Sequence, residues 1–265
     1  MTLQSLIGKN YKWWYLTRYS FKQSSGNLWA FIFNTTVRNI EFLAYIFVWK
    51  VNGSNSQIIT YLALGRVFDR LLFNEIDGQM NTMIWNGSLT KYLLLPSNYL
   101  GIMFFDNIGF NFVRSIVNSF IALVLALALF GSDIILSFNI LSLVIFFVVA
   151  YIILTFLSYL KGCVGFWIRN NSNSVAVIQA MTIAIGILSG TVIPLQMLFK
   201  GFDHPMLWTP FAFLLHHPMQ IYLGKYNNFE IVQTFAGGIT WCFVLFILAR
   251  IVFKMGLKRN EAVGL

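Results

Sequence analysis

The chain alternates between long apolar runs and short polar connectors. The three strongest runs cover residues 104–130, 134–160 and 175–198, and each reaches the roughly 20 residues that a helix needs to cross hydrocarbon. Inside hydrocarbon every backbone amide must be hydrogen-bonded within the protein, so runs of this length are expected to be helical. The pattern therefore predicts three transmembrane helices in this part of the chain.

Three further runs are less purely apolar. Residues 28–49 carry polar side chains at helical spacing, and residues 54–73 are interrupted near their end by Arg66, Asp69 and Arg70. Residues 230–253 lead into a basic tail. The lengths of all three still suit membrane helices. We therefore predict an all-α integral membrane protein with six transmembrane helices, organised as a single membrane domain over residues 1–265.

The segments between these runs have patterns of their own. Over residues 3–22, apolar and aromatic side chains share one helical face beside lysines, which predicts an interfacial helix within residues 1–27. Residues 74–100 form a polar connector. Residues 194–229 hold four of the five prolines and all three histidines, and they predict short re-entrant helices on the outer side. Pro194 is expected to end or kink the fifth span.

Composition and charge narrow the class of protein. Hydrophobic residues make up 58% of the chain and charged residues 10%, which excludes a water-soluble globule. The net charge of +9 comes from Lys and Arg scattered at helix ends, so we expect no nucleic-acid partner. These residues concentrate in the even-numbered connectors and at both termini, which places those parts in the cytoplasm. Cys163 and Cys242 lie in or beside apolar runs and are expected to act as small hydrophobic residues.

Polar and charged side chains recur inside the first and third spans. They seldom face lipid, because a central Arg or Asp costs about 2.5–3.5 kcal/mol on translocon scales. From their depths along the helices, we hypothesise that Arg38 neighbours Asp106 and that Glu41 neighbours Arg114. The alternatives are pairing of Arg38 with Glu41 inside one helix and direct contact with substrate. The candidates for interhelical or translocation-path contacts are Asn34, Arg38, Glu41, Asp106, Asn107, Asn111, Arg114 and Asn118.

Two smaller patterns concern packing and metal binding. Gly186 and Gly190 form a small-xxx-small pattern in the fifth span, which predicts close helix packing or a gate there. Asp203 and the three histidines carry groups that zinc prefers, but their spacing fits no standard arrangement. We therefore predict no metal site.

The cytoplasmic connector contains a leucine-rich stretch, Gly87-Ser88-Leu89-Thr90-Lys91-Tyr92-Leu93-Leu94-Leu95-Pro96. A short apolar helix on this side of the membrane must bury its leucines against something. One interpretation is that it lies on the bilayer or packs against a neighbouring helix. The other is that it docks a soluble partner through residues spaced i, i+3 and i+4.

This stretch resembles the coupling-helix motif of ABC-2-type exporter permeases, whose usual form is Gly-Thr-Leu-Glu followed by leucines and a proline. The order of elements along nearly the whole chain is also similar to that family. The C-terminal part resembles the six-helix permeases related to bacterial viologen exporters, through Pro210-Phe211-Ala212, Pro218-Met219-Gln220-Ile221-Tyr222-Leu223-Gly224 and Lys258-Arg259-Asn260-Glu261-Ala262-Val263-Gly264. Thr90 and Asn260 depart from the family pattern, which has an acidic residue and a tyrosine there.

The resemblance implies a non-enzymatic half-transporter in the plasma membrane of a bacterium. Its partners would be a dimer of ABC ATPase subunits, a second copy of this permease or a related one, and membrane lipid. ATP and Mg²⁺ would bind the ATPase, since this chain has no Gly-x-x-x-x-Gly-Lys-Ser/Thr loop and needs no cofactor of its own. The substrate would be an amphipathic or hydrophobic molecule, moved out of the cytoplasm. The alternative is a secondary transporter or another polytopic membrane protein that works without an ATPase. The implied ATPase-coupling residues are Gly87, Ser88, Leu89, Lys91, Tyr92, Leu93, Leu94 and Pro96.

Overall fold

Helices form nearly all of the backbone in the computed structural model, which describes residues 17–19, 28–53, 55–94, 98–134, 140–168, 170–199 and 201–264. No strand occurs within these ranges. The predicted interfacial helix lies outside them, apart from residues 17–19. In chain order the helices are α1 Leu28–Val51, α2 Ser56–Leu71, α3 Ile76–Trp85, α4 Leu89–Leu93, α5 Tyr99–Phe130, α6 Ile140–Gly162, α7 Asn171–Ser189, α8 Leu195–Leu198, α9 His216–Tyr222 and α10 Asn228–Gly264.

Four of the helices in the described part of the chain are long and apolar enough to cross a membrane. They cover 99–130, 143–166, 171–189 and 228–259, so the chain is an all-α, multi-pass membrane protein. Helices α1 and α2 occupy the first two predicted spans, but α2 has only 16 residues, or about 24 Å. The count of six spans stays a prediction.

The bounds of several predicted spans need correction. Helix α5 begins at Tyr99, five residues before the predicted third span, because Asn98 caps it by accepting a hydrogen bond from the amide of Leu100 at 3.3 Å. Helix α7 ends at Ser189 and not near Leu198. Gly190 stops it in the left-handed conformation, with φ of 88°. The expectation that Pro194 ends this helix is therefore wrong.

Helix α3 was not predicted as a separate element. Its buried residues Ile76, Met80 and Ile84 recur every four positions and form one apolar face. That face joins a buried cluster at the cytoplasmic end of the predicted topology, together with the start of α5, the end of α6 and the C-terminal part of α10. A second buried cluster, around Tyr61 and Leu62 of α2, joins α2 to α5, α6 and α9.

The segment predicted as re-entrant consists of short helices that pack inside the bundle. A Cβ atom on Gly65, in the middle of α2, would lie 3.4 Å from the side chain of Leu215. On the opposite side, the indole of Trp241 in α10 donates to the carbonyl of Trp208 at 2.8 Å. Since these contacts reach well along both long helices, the segment is part of the core.

Candidate functional site

A tight turn joins α3 to α4. Gly87 has φ of 71°, a left-handed value that favours glycine. The side-chain oxygen of Asn86 accepts from the amide and the hydroxyl of Ser88, at 3.0 and 2.6 Å. The hydroxyl of Thr90 donates to the carbonyl of Gly87 at 2.8 Å. The turn therefore holds the two short helices as one unit, residues 76–94, which we call the coupling segment.

One face of the coupling segment is buried in the protein. Leu89 is 2% exposed and Met80 is fully buried. They belong to the cluster formed with Tyr99, Tyr159, Cys163, Phe166 and Ala249. Leu89 is thus not available as a surface contact, although the motif resemblance placed it among the coupling residues. Its role in this structure is to anchor α4.

Other side chains of the coupling segment are open to the surface. Leu94 is 85% exposed, and Leu93 and Trp85 are about two-fifths exposed. Gly87, Thr90 and Lys91 are also exposed, Ser88 is partly so, and Pro96 lies outside the described residues. Tyr92 is half-buried with its ring 6.2 Å from that of Tyr99, and burial raises the pKa of its hydroxyl. Exposed leucines and an exposed tryptophan on a short segment between membrane helices indicate an interaction site.

Two glycines at the end of α6 and in the turn after it let α3 pack closely against them. We call this contact the glycine seat. A Cβ atom on Gly162 would lie 2.9 Å from the Cβ of Met80 and 3.2 Å from the Cα of Asp77. One on Gly165 would lie 2.7 Å from the side-chain oxygen of Asn81. Both distances are below normal contact, so only glycine lets α3 approach the end of α6 this closely.

Polar side chains tie α3 to its neighbours at the same place. The ammonium nitrogen of Lys161 lies 2.6 Å from a carboxylate oxygen of Asp77, and it donates to the hydroxyl of Thr182 at 2.8 Å. The side-chain nitrogen of Asn81 donates to the side-chain oxygen of Asn171 at 3.1 Å, and its oxygen accepts from Ser174 at 2.9 Å. Sequence reasoning missed these contacts, because Lys161 was used only as an indicator of topology.

The polar stripe predicted on the third span faces the end of α2 and the start of α3. The side-chain oxygen of Asn107 accepts from the amide of Glu75 at 3.2 Å and from Asn111 at 2.5 Å, while its nitrogen donates to the hydroxyl of Tyr151 at 2.9 Å. Asn118 is buried on the same face. Ser115 and Ser119, which the sequence analysis did not single out, donate to the carbonyls of Phe73 and Val67 at 3.5 and 3.2 Å. These contacts fasten α5 to the connector.

The hypothesis that pairs α1 with α5 stays a prediction. The side chains of Asn34, Arg38 and Glu41 lie outside the described residues. Arg114 of α5 has another partner, because its guanidinium lies 3.4 Å from a carboxylate oxygen of Glu75. Asp106 is part-buried on the same helix.

The two glycines of the fifth span have different surroundings. Among the described residues, a Cβ on Gly186 would meet only the hydroxyl of Thr191, at 3.3 Å, which belongs to the turn after the same helix. A Cβ on Gly190 would lie 2.6 Å from the hydroxyl of Tyr61 in α2. Nearby, the hydroxyl of Tyr45 in α1 donates to the carbonyl of Val192. The end of α7 is therefore a contact point for α1 and α2.

We expect Gly190→Leu to destabilise the protein, because it adds a side chain at a left-handed residue and against Tyr61. The left-handed conformation alone costs roughly 1–2 kcal/mol for a residue with a Cβ. Gly201 has the same φ of 88°, and no described residue lies within 4 Å of a Cβ placed there, so Gly201→Ala measures that cost alone. Gly190→Ala should lower the unfolding temperature further than Gly201→Ala in a detergent-solubilised thermal melt.

Tyr61→Phe provides the matched rescue for this prediction. The buried hydroxyl of Tyr61 has no hydrogen-bond partner among the described residues, so its removal costs little. In the Tyr61→Phe background, the difference between Gly190→Ala and Gly201→Ala should shrink. An unchanged difference would show that the Tyr61 contact does not limit the site.

His216 and His217 are buried, whereas His204 is partly exposed. His217 is fully buried; its Nε2 lies 2.7 Å from the carbonyl of Leu207, and its Nδ1 lies 2.9 Å from the hydroxyl of Tyr226. Burial lowers its pKa to about 4, against the smaller opposing effect of that carbonyl. A neutral ring that donates from Nε2 must accept from Tyr226 at Nδ1, which leaves no nitrogen for a metal. His204 accepts from the amide of Met206 at 3.3 Å. Across the described residues, no group of three or more His, Cys, Asp or Glu could hold a metal.

The long apolar helices define a polytopic membrane protein, and the coupling segment gives it an exposed apolar surface. The family described as "ABC-2 family transporter protein" matches residues 37–264, which is most of the chain. The chain belongs to this family of ABC transporter permeases, whose members work with an ABC ATPase subunit. No curated protein and no solved structure is significantly similar to the chain.

Proposed function

We propose that this chain is the membrane subunit of an ATP-driven exporter, and that a separate ATPase acts on the coupling segment. The observation that carries the proposal is the division of that segment into two faces. Leu89 is anchored in the bundle, whereas Leu93, Leu94 and Trp85 lie open at the surface. A partner that binds the open face can exert force on the helices beneath it. Closure of an ATPase dimer would thereby bias the permease from inward-open to outward-open.

The proposed location of the coupling segment follows from the positive-inside rule. Lys91 and Lys161 lie on its side of the membrane, and so does the exposed basic end of α10 with Lys254, Lys258 and Arg259. Both termini would then face the cytoplasm of a bacterial cell. Helix α10 has 37 residues, or about 55 Å, which is longer than a bilayer core needs. Its C-terminal turns would therefore extend to the level of the ATPase.

A second permease would complete the transporter. Helix α7 is mostly uncovered, since only Ser174, Ile178 and Ser189 on it are buried. Its exposed surface includes the amide of Gln179 as well as apolar residues such as Ile183. Lipid offers no partner for an amide, whereas a neighbouring helix does. We propose that another copy, or a related permease, covers this face.

The proposed substrate is an amphipathic or hydrophobic molecule. An open groove of about 340 Å³ lies between α2 and α6 and is lined by apolar side chains, among them Val67, Phe68 and Phe147, with Tyr222 of α9 at its edge. A groove of this composition favours a hydrocarbon part of a ligand over a charged one. The resemblance to viologen-exporter-like permeases adds a candidate class, organic cations with aromatic parts.

Reconstitution with a candidate ATPase tests the proposal. The permease and the ATPase encoded beside it would be co-expressed, purified through a tag on the permease and placed in inside-out vesicles. We expect the ATPase to co-purify and labelled hydrophobic cations to enter the vesicles only with ATP and a functional ATPase. Uptake driven by an ion gradient with no ATPase present would instead identify a secondary transporter.

A further inference from the structure

We propose that Lys161 links the coupling segment to α7 so that the two move as one rigid body. We call the contact of Lys161 with Asp77 and Thr182 the clasp. This inference rests on the proposed function, because it names the path by which force from the ATPase reaches a membrane helix. Lys161 stands in the last turn of α6 and is 4% exposed. A buried ammonium group is costly unless acceptors surround it. Lys161 is therefore stable in this position only because of the groups that accept hydrogen bonds from it.

Those acceptors come from two different elements. Asp77, 2.6 Å away, belongs to α3, and Thr182, 2.8 Å away, belongs to α7. The hydroxyl hydrogen of Thr182 is already donated to the carbonyl of Ile178 at 2.9 Å, so its oxygen is oriented to accept from Lys161. One side chain on α6 thus joins the coupling segment to the middle of α7.

A second contact lies along the same pair of helices. Asn81 stands one turn beyond Asp77 on α3, and its amide bonds Asn171 and Ser174 in the first turn of α7. Ser174 is fully buried there. Helix α3 is therefore held to the first turn of α7 through Asn81 and to the middle of α7 through Lys161. Two fixed points on one rigid helix prevent both sliding and pivoting.

The rest of α7 has few other attachments. Most of its side chains are exposed, and the described buried positions are those at the clasp and at Ser189. The connector is also tied to α5, through the 3.4 Å ion pair of Glu75 with Arg114, in which the Glu75 side chain is 40% exposed, and through the 3.2 Å hydrogen bond from the Glu75 amide to Asn107. Displacement of the coupling segment should therefore carry the cytoplasmic half of α7 with it.

The test measures the distance between α3 and α7 with spin labels at two exposed positions, Thr82→Cys and Ile183→Cys, in a chain with Cys163→Ala and Cys242→Ala. With Lys161 present, we expect one narrow distance distribution that is the same in the nucleotide-free complex and after trapping with ATP and vanadate. Lys161→Met should broaden the distribution and make it shift with nucleotide. Lys254→Met, at an exposed position on α10, is the matched control and should change nothing.

Variants at Thr182 distinguish a specific link through Lys161 from a general requirement of Lys161 for folding. Thr182→Ser keeps the accepting oxygen and should behave as the parent chain, whereas Thr182→Val should reproduce the broadening caused by Lys161→Met. The inference is overturned if the parent distance itself shifts with nucleotide, or if both Lys161→Met and Thr182→Val leave the distribution narrow. Co-purification of the ATPase is scored separately. If it never binds, the proposed function fails, while the nucleotide-free comparison still decides whether the clasp exists.

Discussion

Replacing Leu93 and Leu94 by aspartate is expected to abolish binding of the ATPase while leaving the permease folded. Both side chains are exposed, and Leu94 is 85% so, hence their removal opens no cavity. At an interface, two carboxylates would have to be buried without partners, which costs several kcal/mol. The measurement is co-purification of the ATPase with the tagged permease, together with the thermal unfolding temperature of the permease alone.

Leu89→Ala is the matched control, because it changes a leucine of the same helix on the buried face. Loss of a buried leucine typically costs about 2–5 kcal/mol. We therefore expect the opposite result, a lower unfolding temperature in the permease alone. If the Leu93 and Leu94 variant still retains a full complement of ATPase, the open face is not the docking surface.

Gly162→Ala is expected to displace the coupling segment from α6. The added methyl group would lie 2.9 Å from the Cβ of Met80 and 3.2 Å from the backbone of Asp77, so α3 must move away from α6. Overpacking of this kind costs about 1–3 kcal/mol. We expect a reduced unfolding temperature and reduced ATP-dependent transport, because the displaced segment also loses the contact between Asp77 and Lys161.

Gly78→Ala is the control that separates close packing at Gly162 from the general effect of replacing a helical glycine by alanine. Gly78 is also a helical glycine, but it lies on the open side of α3, where no atom in the described part of the chain comes within 4 Å of a Cβ. Alanine there should be neutral or stabilise the helix by up to about 1 kcal/mol. Equal behaviour of the two variants in melting and transport would mean that the close approach at Gly162 is not required.

Hydropathy predicted the long helices because their environment is nearly uniform. Most residues of a membrane helix meet hydrocarbon or another apolar helix, so a local average carries the information. The end of α7 was misplaced because a proline was preferred over a glycine as the stop signal. Gly190 adopts the left-handed conformation that ends helices, and that signal was present in the sequence.

The candidate site was only partly predictable. The coupling motif indicated which segment to propose as a docking surface, but it did not separate Leu89 from Leu94, since orientation depends on what lies beneath the helix. The four-residue spacing of Ile76, Met80 and Ile84 would have revealed α3. The acceptors of Lys161 could not be found in this way, because Asp77 and Thr182 come from distant parts of the chain.

The division of the coupling segment into two faces has a consequence for engineering and for divergence. Side chains on the open face touch little of the permease, so they are free to vary without disturbing its assembly. A change of a few surface residues would thus adapt such a permease to a different ATPase, while its substrate pathway stayed the same. Under the proposed function, the choice of ATPase and the choice of substrate are separately adjustable traits.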